Sequence, residues 1–293
     1  MRNIHGILLF NKPTGFSSNA ALQRVKRLFQ ARKAGHTGSL DKLASGLLPI
    51  CFGEATKLAG FLLEADKCYQ AECTLGTTTS TGDAEGAILT QAPLTAISAE
   101  QIAAVLPAFR GSIQQIPPMY SALKSKGQPL YKLARQGQVI TRTPRTVTIY
   151  QLKLLEVINP QCVTLDIRCS KGTYIRTLVE DIGQALGCGA YVSALHRSAV
   201  GEYQDMVDLA TLEAQEPQNL VDFLKPLHSV LTHWPSVNLS LEIATYIRKG
   251  QTVHVACPPR QGWVKLLTEE DEFLGIGQVL ADGRIAPKRL INS

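Results

Sequence analysis

The spacing of apolar and polar residues marks most of the elements along this chain. Residues 7–10 are uniformly apolar and run into Lys12-Pro13 and Gly15, the pattern of a short buried strand entering a turn. Leu22, Val25, Leu28 and Phe29 then recur at helical spacing while Arg24, Lys26 and Arg27 fall off that stripe, predicting an amphipathic helix capped by Ser17, Ser18 or Asn19. A second helix is expected over 56–65. Strict alternation over 69–75, with Tyr, Ala, Cys and Leu against Gln, Glu and Thr, predicts a half-buried strand.

Ser98 and Gln101 form a capping box ahead of another apolar helical run. From Ile116 to Arg145 the periodicity fades into Gly, Pro, Lys and Arg with Tyr120 and Tyr131 among them, as in a disordered segment or a binding loop. Strands are expected over 146–157 and 163–169. Thr173 should cap a helix whose stripe is Ile175, Leu178, Val179, Ile182 and Leu186, and Gly187 stands where a C-terminal cap belongs. Near Trp234-Pro235 the texture changes to a short helix over 243–248 and strand-like pieces broken by Pro and Gly, a small β-rich unit. The expected domains are therefore 1–235 and 236–293.

Composition narrows the class. A chain of 293 residues that is 45% hydrophobic can bury a substantial core. No segment approaches the roughly 18 apolar residues of a membrane span, and the first apolar run lacks the flanks of a secretion signal, so a soluble cytoplasmic protein without a membrane partner is expected. The seven cysteines are scattered and never spaced C-x-x-C, which argues for packing rather than disulfides or zinc. The six histidines show no ligand-like spacing, and no metal is expected.

Charge is segregated. The net charge is +6, yet residues 1–40 carry +7 and residues 101–155 carry +8, with no acid in either segment. That pattern predicts an electropositive face suited to a polyanion such as nucleic acid, although basic patches also serve solubility. Phosphate-loop, dinucleotide-binding, zinc-protease and nucleophile-elbow motifs are all missing. Asp41, the first acidic residue, lies in the glycine-bracketed run GHTGSLDKLASGLLP (35–49). An Asp there is ordinarily a turn or cap residue, but a carboxylate kept ionised beside a cation can also act as nucleophile or base. Spacing alone does not choose.

Four motifs in order resolve the choice: NKPTGFSS (11–18), GHTGSLDKLASGLLPICFGEATK (35–57), KCYQAECTLGTTTSTGDAEG (67–86) and SKGTYIRTLVEDIG (170–183). Together they resemble the TruB family of pseudouridine synthases, and the similarity continues through the basic segment to LGIGQVLADGRIAPKRL at the end of the chain. The resemblance implies an α+β pseudouridine-synthase fold, with a central mixed, mainly antiparallel sheet flanked by helices and loops and a C-terminal PUA-like RNA-binding domain. It implies isomerisation of uridine at position 55 in the T loop of tRNA by base flipping, without cofactor or metal, in a monomer that meets the T stem-loop and the acceptor end.

By the same resemblance Asp41 is the catalytic carboxylate, at the floor of a pocket for the flipped base, and Arg176 pairs with it from the exposed side of a helix. The alternative for Arg176 is a plain surface ion pair. Tyr69 matches the tyrosine that stacks on the uracil, whereas periodicity alone makes it a core residue at a strand start. His36 matches a histidine that helps hold the displaced base, Leu195 an apolar pocket residue, and Lys12 the lysine of the first motif. Within the insertion at about 117–145, Lys124, Lys126, Lys132 and Arg135 are expected to meet RNA on a mobile element that closes over it. Two positions depart from the family pattern: Lys42 replaces a proline, loosening the loop or lowering the pKa of Asp41, and Ser80 replaces an acid, leaving Asp83.

Overall fold

The first apolar run forms strand β1 (Gly6–Lys12), buried on both faces, with Leu8 and Phe10 in the larger core and Ile7 and Leu9 in a smaller one. The computed structural model describes residues 1–92, 97–121, 123–125, 127–256 and 258–292; Lys126 and Cys257 therefore lie outside the described residues. Helix α1 (Ser18–Leu28) follows, capped by Ser17, whose hydroxyl accepts the Ala20 amide. Ser18 is no cap: its hydroxyl accepts the amide of Leu40 at 2.7 Å and donates to the Leu40 carbonyl at 3.0 Å, tying α1 to the Asp41 loop. Next come β2 (Ala34–His36) and β3 (Ser45–Phe52).

The helix expected over 56–65 is split into a 3₁₀ turn (Gly53–Lys57) and α2 (Ala59–Glu64). Thr56 donates its hydroxyl back to the Gly53 carbonyl at 2.7 Å, which favours the tighter turn at the start. Strand β4 (Lys67–Leu75) alternates as expected, and β5 (Thr77–Thr79) pairs with β6 (Ile88–Gln91). Helix α3 (Ala99–Val105) carries the Ser98–Gln101 capping box and leads to β7 (Gly111–Gln115).

The segment expected to be without regular structure contains a small hairpin, β8 (Lys124–Ser125) with β9 (Gln128–Pro129), and helix α4 (Leu130–Arg135). Buried Leu130 anchors it, and the Leu130 amide donates to the Leu123 carbonyl at 2.7 Å. Long antiparallel strands β10 (Arg145–Asn159) and β11 (Cys162–Cys169) follow. Helix α5 (Ile175–Ala185) starts one residue later than expected: Thr173 donates to the Ser170 carbonyl, while the side chain of Gln115 satisfies both backbone groups of Tyr174. Strand β12 (Ala190–Val200), β13 (Val207–Asp208), α6 (Leu209–Glu213) and β14 (Leu224–Lys225) complete this part.

Its ten-stranded sheet runs β13-β1-β3-β12-β4-β11-β10-β7, with β14 also on β1 and β2 on β3, and is antiparallel except for β1–β13 and β3–β12. The β3–β12 pairing covers only Ser45–His196 and Gly46–Arg197, after which β2 takes over the free edge of β3 at 50–52. The loop that carries Asp41 connects β2 to β3 at that change of partner. A second sheet, β15 (Ser236–Leu239), β16 (Gly262–Thr268), β17 (Phe273–Val279) and β18 (Ile285–Leu290), packs with helix α7 (Leu241–Arg248) around its own core of Val264, Leu266, Ala244 and Ile247. Leu58, Leu231 and Ile276 join the two parts with Phe61, Trp234 and Phe273 around them, and Lys57 donates to the Leu290 carbonyl at 2.7 Å. Among the described residues no helix is long and apolar enough to cross a membrane.

Candidate active site

Arg176 is the hub. It occupies the first turn of α5 with its side chain 6% exposed, so the expectation of an exposed helix side is wrong. The 79–83 turn and the Tyr120 backbone cover it. Its guanidinium carries five N–H donors, and two carboxylates and two backbone carbonyls surround it. Nε lies 3.0 Å from Oδ2 of Asp41 as an ion pair, and Nη2 donates to Oδ1 of Asp41 at 3.3 Å and to the Tyr120 carbonyl at 2.8 Å. Nη1 donates to the Thr81 carbonyl at 2.9 Å and lies 3.2 Å from Oδ2 of Asp83.

The two carboxylates differ in access. Asp83 is 4% exposed and its Oδ1 also accepts the Thr81 hydroxyl at 2.5 Å and the Glu85 amide at 3.1 Å, so it is enclosed. Asp41 is held two-fold by Arg176 yet 42% of its side chain meets solvent, leaving an oxygen face open to a ligand. Burial of its surroundings raises the Asp41 pKa above the ordinary value of 3.8, Arg176 opposes this, Asp83 reinforces it and Lys12 opposes it. Lys42 is exposed and contributes nothing to that balance; its carbonyl accepts the Gly15 amide, which closes the loop against the β1 turn.

Arg197 builds the other wall. It points inward from β12 directly opposite Tyr69 of β4, is 1% exposed, and donates Nε to the Leu47 carbonyl at 2.7 Å and Nη2 to the Gly38 carbonyl at 3.0 Å. The guanidinium thus extends the short β3–β12 ladder and clamps both ends of the Asp41 loop. Gly46 is required there: at φ 103°, a Cβ would lie 2.3 Å from the Arg197 carbonyl oxygen. Sequence reasoning passed over Arg197, although an arginine at an inward position of an alternating strand was the available signal.

The remaining expected residues gather around this wall to different degrees. Tyr69 is 8% exposed, and burial raises its hydroxyl pKa while Arg197 beside it lowers it. His36 ends β2 with a buried Nδ1 that meets no hydrogen-bond partner among the described residues, and burial and then Arg197 lower its pKa. Leu195 is buried in the same core as Tyr69 and Leu40. Lys12 is fully buried, its ammonium donating to the carbonyls of Pro13 at 2.9 Å and Phe16 at 2.8 Å. Burial pushes its pKa down to about 8 against the pull of Asp41. A direct substrate contact by Lys12 would require those bonds to open; as placed, it shapes the turn and adds positive charge near the carboxylate.

Lys124, Lys132 and Arg135 are exposed, outside any ion pair among the described residues, with the Arg135 guanidinium 5.6 Å from the ring centre of Tyr131. A recess of about 430 Å³ lies between this insertion and the body, lined by Thr81, Tyr120, Arg142 and Glu180 but not by Asp41. Among the described residues no three His, Cys, Asp or Glu side chains converge as metal ligands.

Sequence comparison matches residues 26–175 to the N-terminal domain of the TruB family of pseudouridylate synthases, residues 176–232 to a tRNA pseudouridylate synthase B C-terminal domain and residues 235–291 to a pseudouridine synthase II TruB C-terminal domain. The chain belongs to the TruB family. It is 54% identical to the tRNA pseudouridine synthase B of Nitrosococcus oceani, covering 100% of this chain and 96% of that protein. It is 52% identical to the protein of the same name from Pseudomonas aeruginosa, covering 100% and 97%. Among solved structures it is similar to a chain of a Cbf5-Nop10-Gar1 complex (TM-score 0.71, 25% identity, 98% of this chain and 84% of that one). A chain of an H/ACA RNP bound to a substrate RNA containing 2'-deoxyuridine gives a TM-score of 0.72 at 22% identity, covering 99% and 86%, and shares the fold. The α+β pseudouridine-synthase fold with a β-rich C-terminal part expected from the sequence is thus observed, and the chain is an RNA-modifying isomerase by family.

Proposed function

We propose that this enzyme converts uridine to pseudouridine at position 55 in the T loop of tRNA, acting as a monomer in the cytoplasm. The bond between C1′ and N1 breaks, the uracil turns, C1′ bonds to C5, the C5 proton leaves to solvent and N1 takes one up. Atoms and electrons balance within the nucleotide, so no external electron or group donor is called for. A target in a folded loop must leave its stack, which costs a few kcal/mol that phosphate contacts and stacking offset.

One observation carries the reading: of the two carboxylates on Arg176, only Asp41 has an open face. A pinned, solvent-reachable oxygen pair can attack the sugar or the base, or remove a sugar proton. Arg176 keeps it ionised and oriented. The unpartnered Nδ1 of His36 and the Tyr69 ring, with Leu195 behind it, supply a place for the displaced base, and Lys12 adds positive charge. Lys124, Lys132, Arg135 and, outside the described residues, Lys126 serve as phosphate contacts. Residues 1–235 act as the catalytic domain and 236–293 as a PUA-like module toward the acceptor end.

The test uses unmodified tRNA carrying tritium at uracil C5. Wild type should release label and Asp41→Asn should lose at least about 10⁴-fold in rate, as removal of an essential group does. Release that survives the substitution removes Asp41 from the mechanism. Tight tRNA binding with no release by either protein would instead make the chain an RNA-binding protein, and mapping the modified nucleotide checks the position.

A further inference from the structure

We propose that Arg32, Lys33 and Lys288 form a cationic seam at the junction of the two parts, which holds the phosphate backbone of an RNA stem as it runs from the active site toward the C-terminal sheet. This rests on tRNA being the substrate. Strand β3 connects the two regions: its Ser45 end pairs with His196 beside the Asp41 loop, and its Phe52 end pairs with Ala34 and enters the Gly53–Lys57 turn. At about 3.3 Å per residue those ends are roughly 25 Å apart. Arg32 and Lys33 sit at the far end, where the Lys33 carbonyl accepts the Gly53 amide at 3.0 Å.

The same turn docks the C-terminal sheet. Lys57 donates to the Leu290 carbonyl at 2.7 Å, the Asn292 amide to Glu54 at 2.8 Å, and Arg289 to the Lys57 carbonyl. Lys288 precedes Arg289 of this strap on β18, and the Lys33 backbone holds the other end of the turn, so the backbone brings cation-bearing segments of both parts to one five-residue turn. The nearby acid, Glu54, is consumed by Lys57 and the Asn292 amide. Arg32, Lys33 and Lys288 are exposed and join no ion pair among the described residues, whereas Arg24 is bound to Glu213 and Arg2 to the Pro217 carbonyl. Free cations on either side of a strapped joint give a fixed positive step, suited to A-form RNA, which is read through its shape, 2′-hydroxyls and phosphates.

Binding of the triple variant Arg32→Gln/Lys33→Gln/Lys288→Gln is compared with wild type across a salt series, using full-length unmodified tRNA and a hairpin of the T stem and loop alone. With tRNA, the slope of log Kd against log salt should fall by about 2 to 3, some 0.7–0.9 for each phosphate left without its cation. With the hairpin, Kd, slope and tritium release at saturation should stay at the wild-type level. An unchanged slope on tRNA, or an equal loss on both RNAs, overturns the seam. A wild type that binds neither RNA overturns the tRNA reading itself.

Discussion

Arg176 and Arg135 carry the same guanidinium and use it in opposite ways. Arg176 is buried with three hydrogen bonds to its surroundings and two carboxylates on it, while Arg135 stands exposed over a tyrosine ring with no acid partner among the described residues. The first has a single permitted geometry, because each bond that breaks leaves a buried polar group unsatisfied. The second keeps its charge available and gains only from a long-range field that salt screens. Under the proposed function, chemistry would rest on a few irreplaceable contacts, and RNA affinity on many that are nearly interchangeable.

The largest expected effect comes from Arg176→Met, which strands Asp83 and Asp41 without their cation. Urea unfolding should show a loss of about 3–5 kcal/mol, as when one partner of a buried ion pair is removed. Combining it with Asp83→Asn should recover part of that loss while activity stays absent; additive losses would mean that the two side chains do not share a network. Arg197→Met should cost about 2–3 kcal/mol through its bonds to two carbonyls. Proteolysis should then speed up in the 37–44 loop first, and a loop as resistant as in wild type would show that it needs no clamp.

The pH profile gives a smaller but directional test. Burial and Asp83 raise the Asp41 pKa, so the acid limb of kcat/KM should lie above 3.8, activity being lost as pH falls through the folded value. Asp83→Asn removes a raising influence and should move that limb to lower pH; a limb that moves up would reverse the assignment. The same shift makes ionised Asp41 a cost to the fold, so its contribution to stability falls as pH rises from 3.8 through the folded pKa. The smallest effect is expected at the insertion. Replacing Lys124, Lys132 and Arg135 with Gln should leave the unfolding midpoint in place and flatten the salt dependence of tRNA binding by up to about 0.9 per residue. Three unequal effects, with one residue dominating, would mean that the outer cations are not interchangeable.

Much of the framework was legible because its cause is local. The alternation over β4, the stripe of α5 and the Ser98–Gln101 box each need only a few neighbouring residues to be seen. The insertion was not legible, since two-residue strands and a six-residue helix are too short to show a period and are held by contacts such as Leu130. Arg176 was assigned to the right partner and the wrong environment. Its place between Ile175 and Leu178 marks the flank of a helix, and only the fold says that another segment covers that flank.

By itself the sequence determined which residues are available to act: a lone aspartate in a glycine-bracketed loop, an arginine at the head of an amphipathic helix, and cations gathered in two acid-free segments. Tertiary structure decided which of them meet and how exposed each is. Asp41 and Asp83 share one guanidinium, and Arg197 reaches across from β12 to clamp the loop. The reason is physical: local patterns follow from propensity and period, whereas the access and pKa of a charge depend on atoms brought close by chain segments far away in sequence.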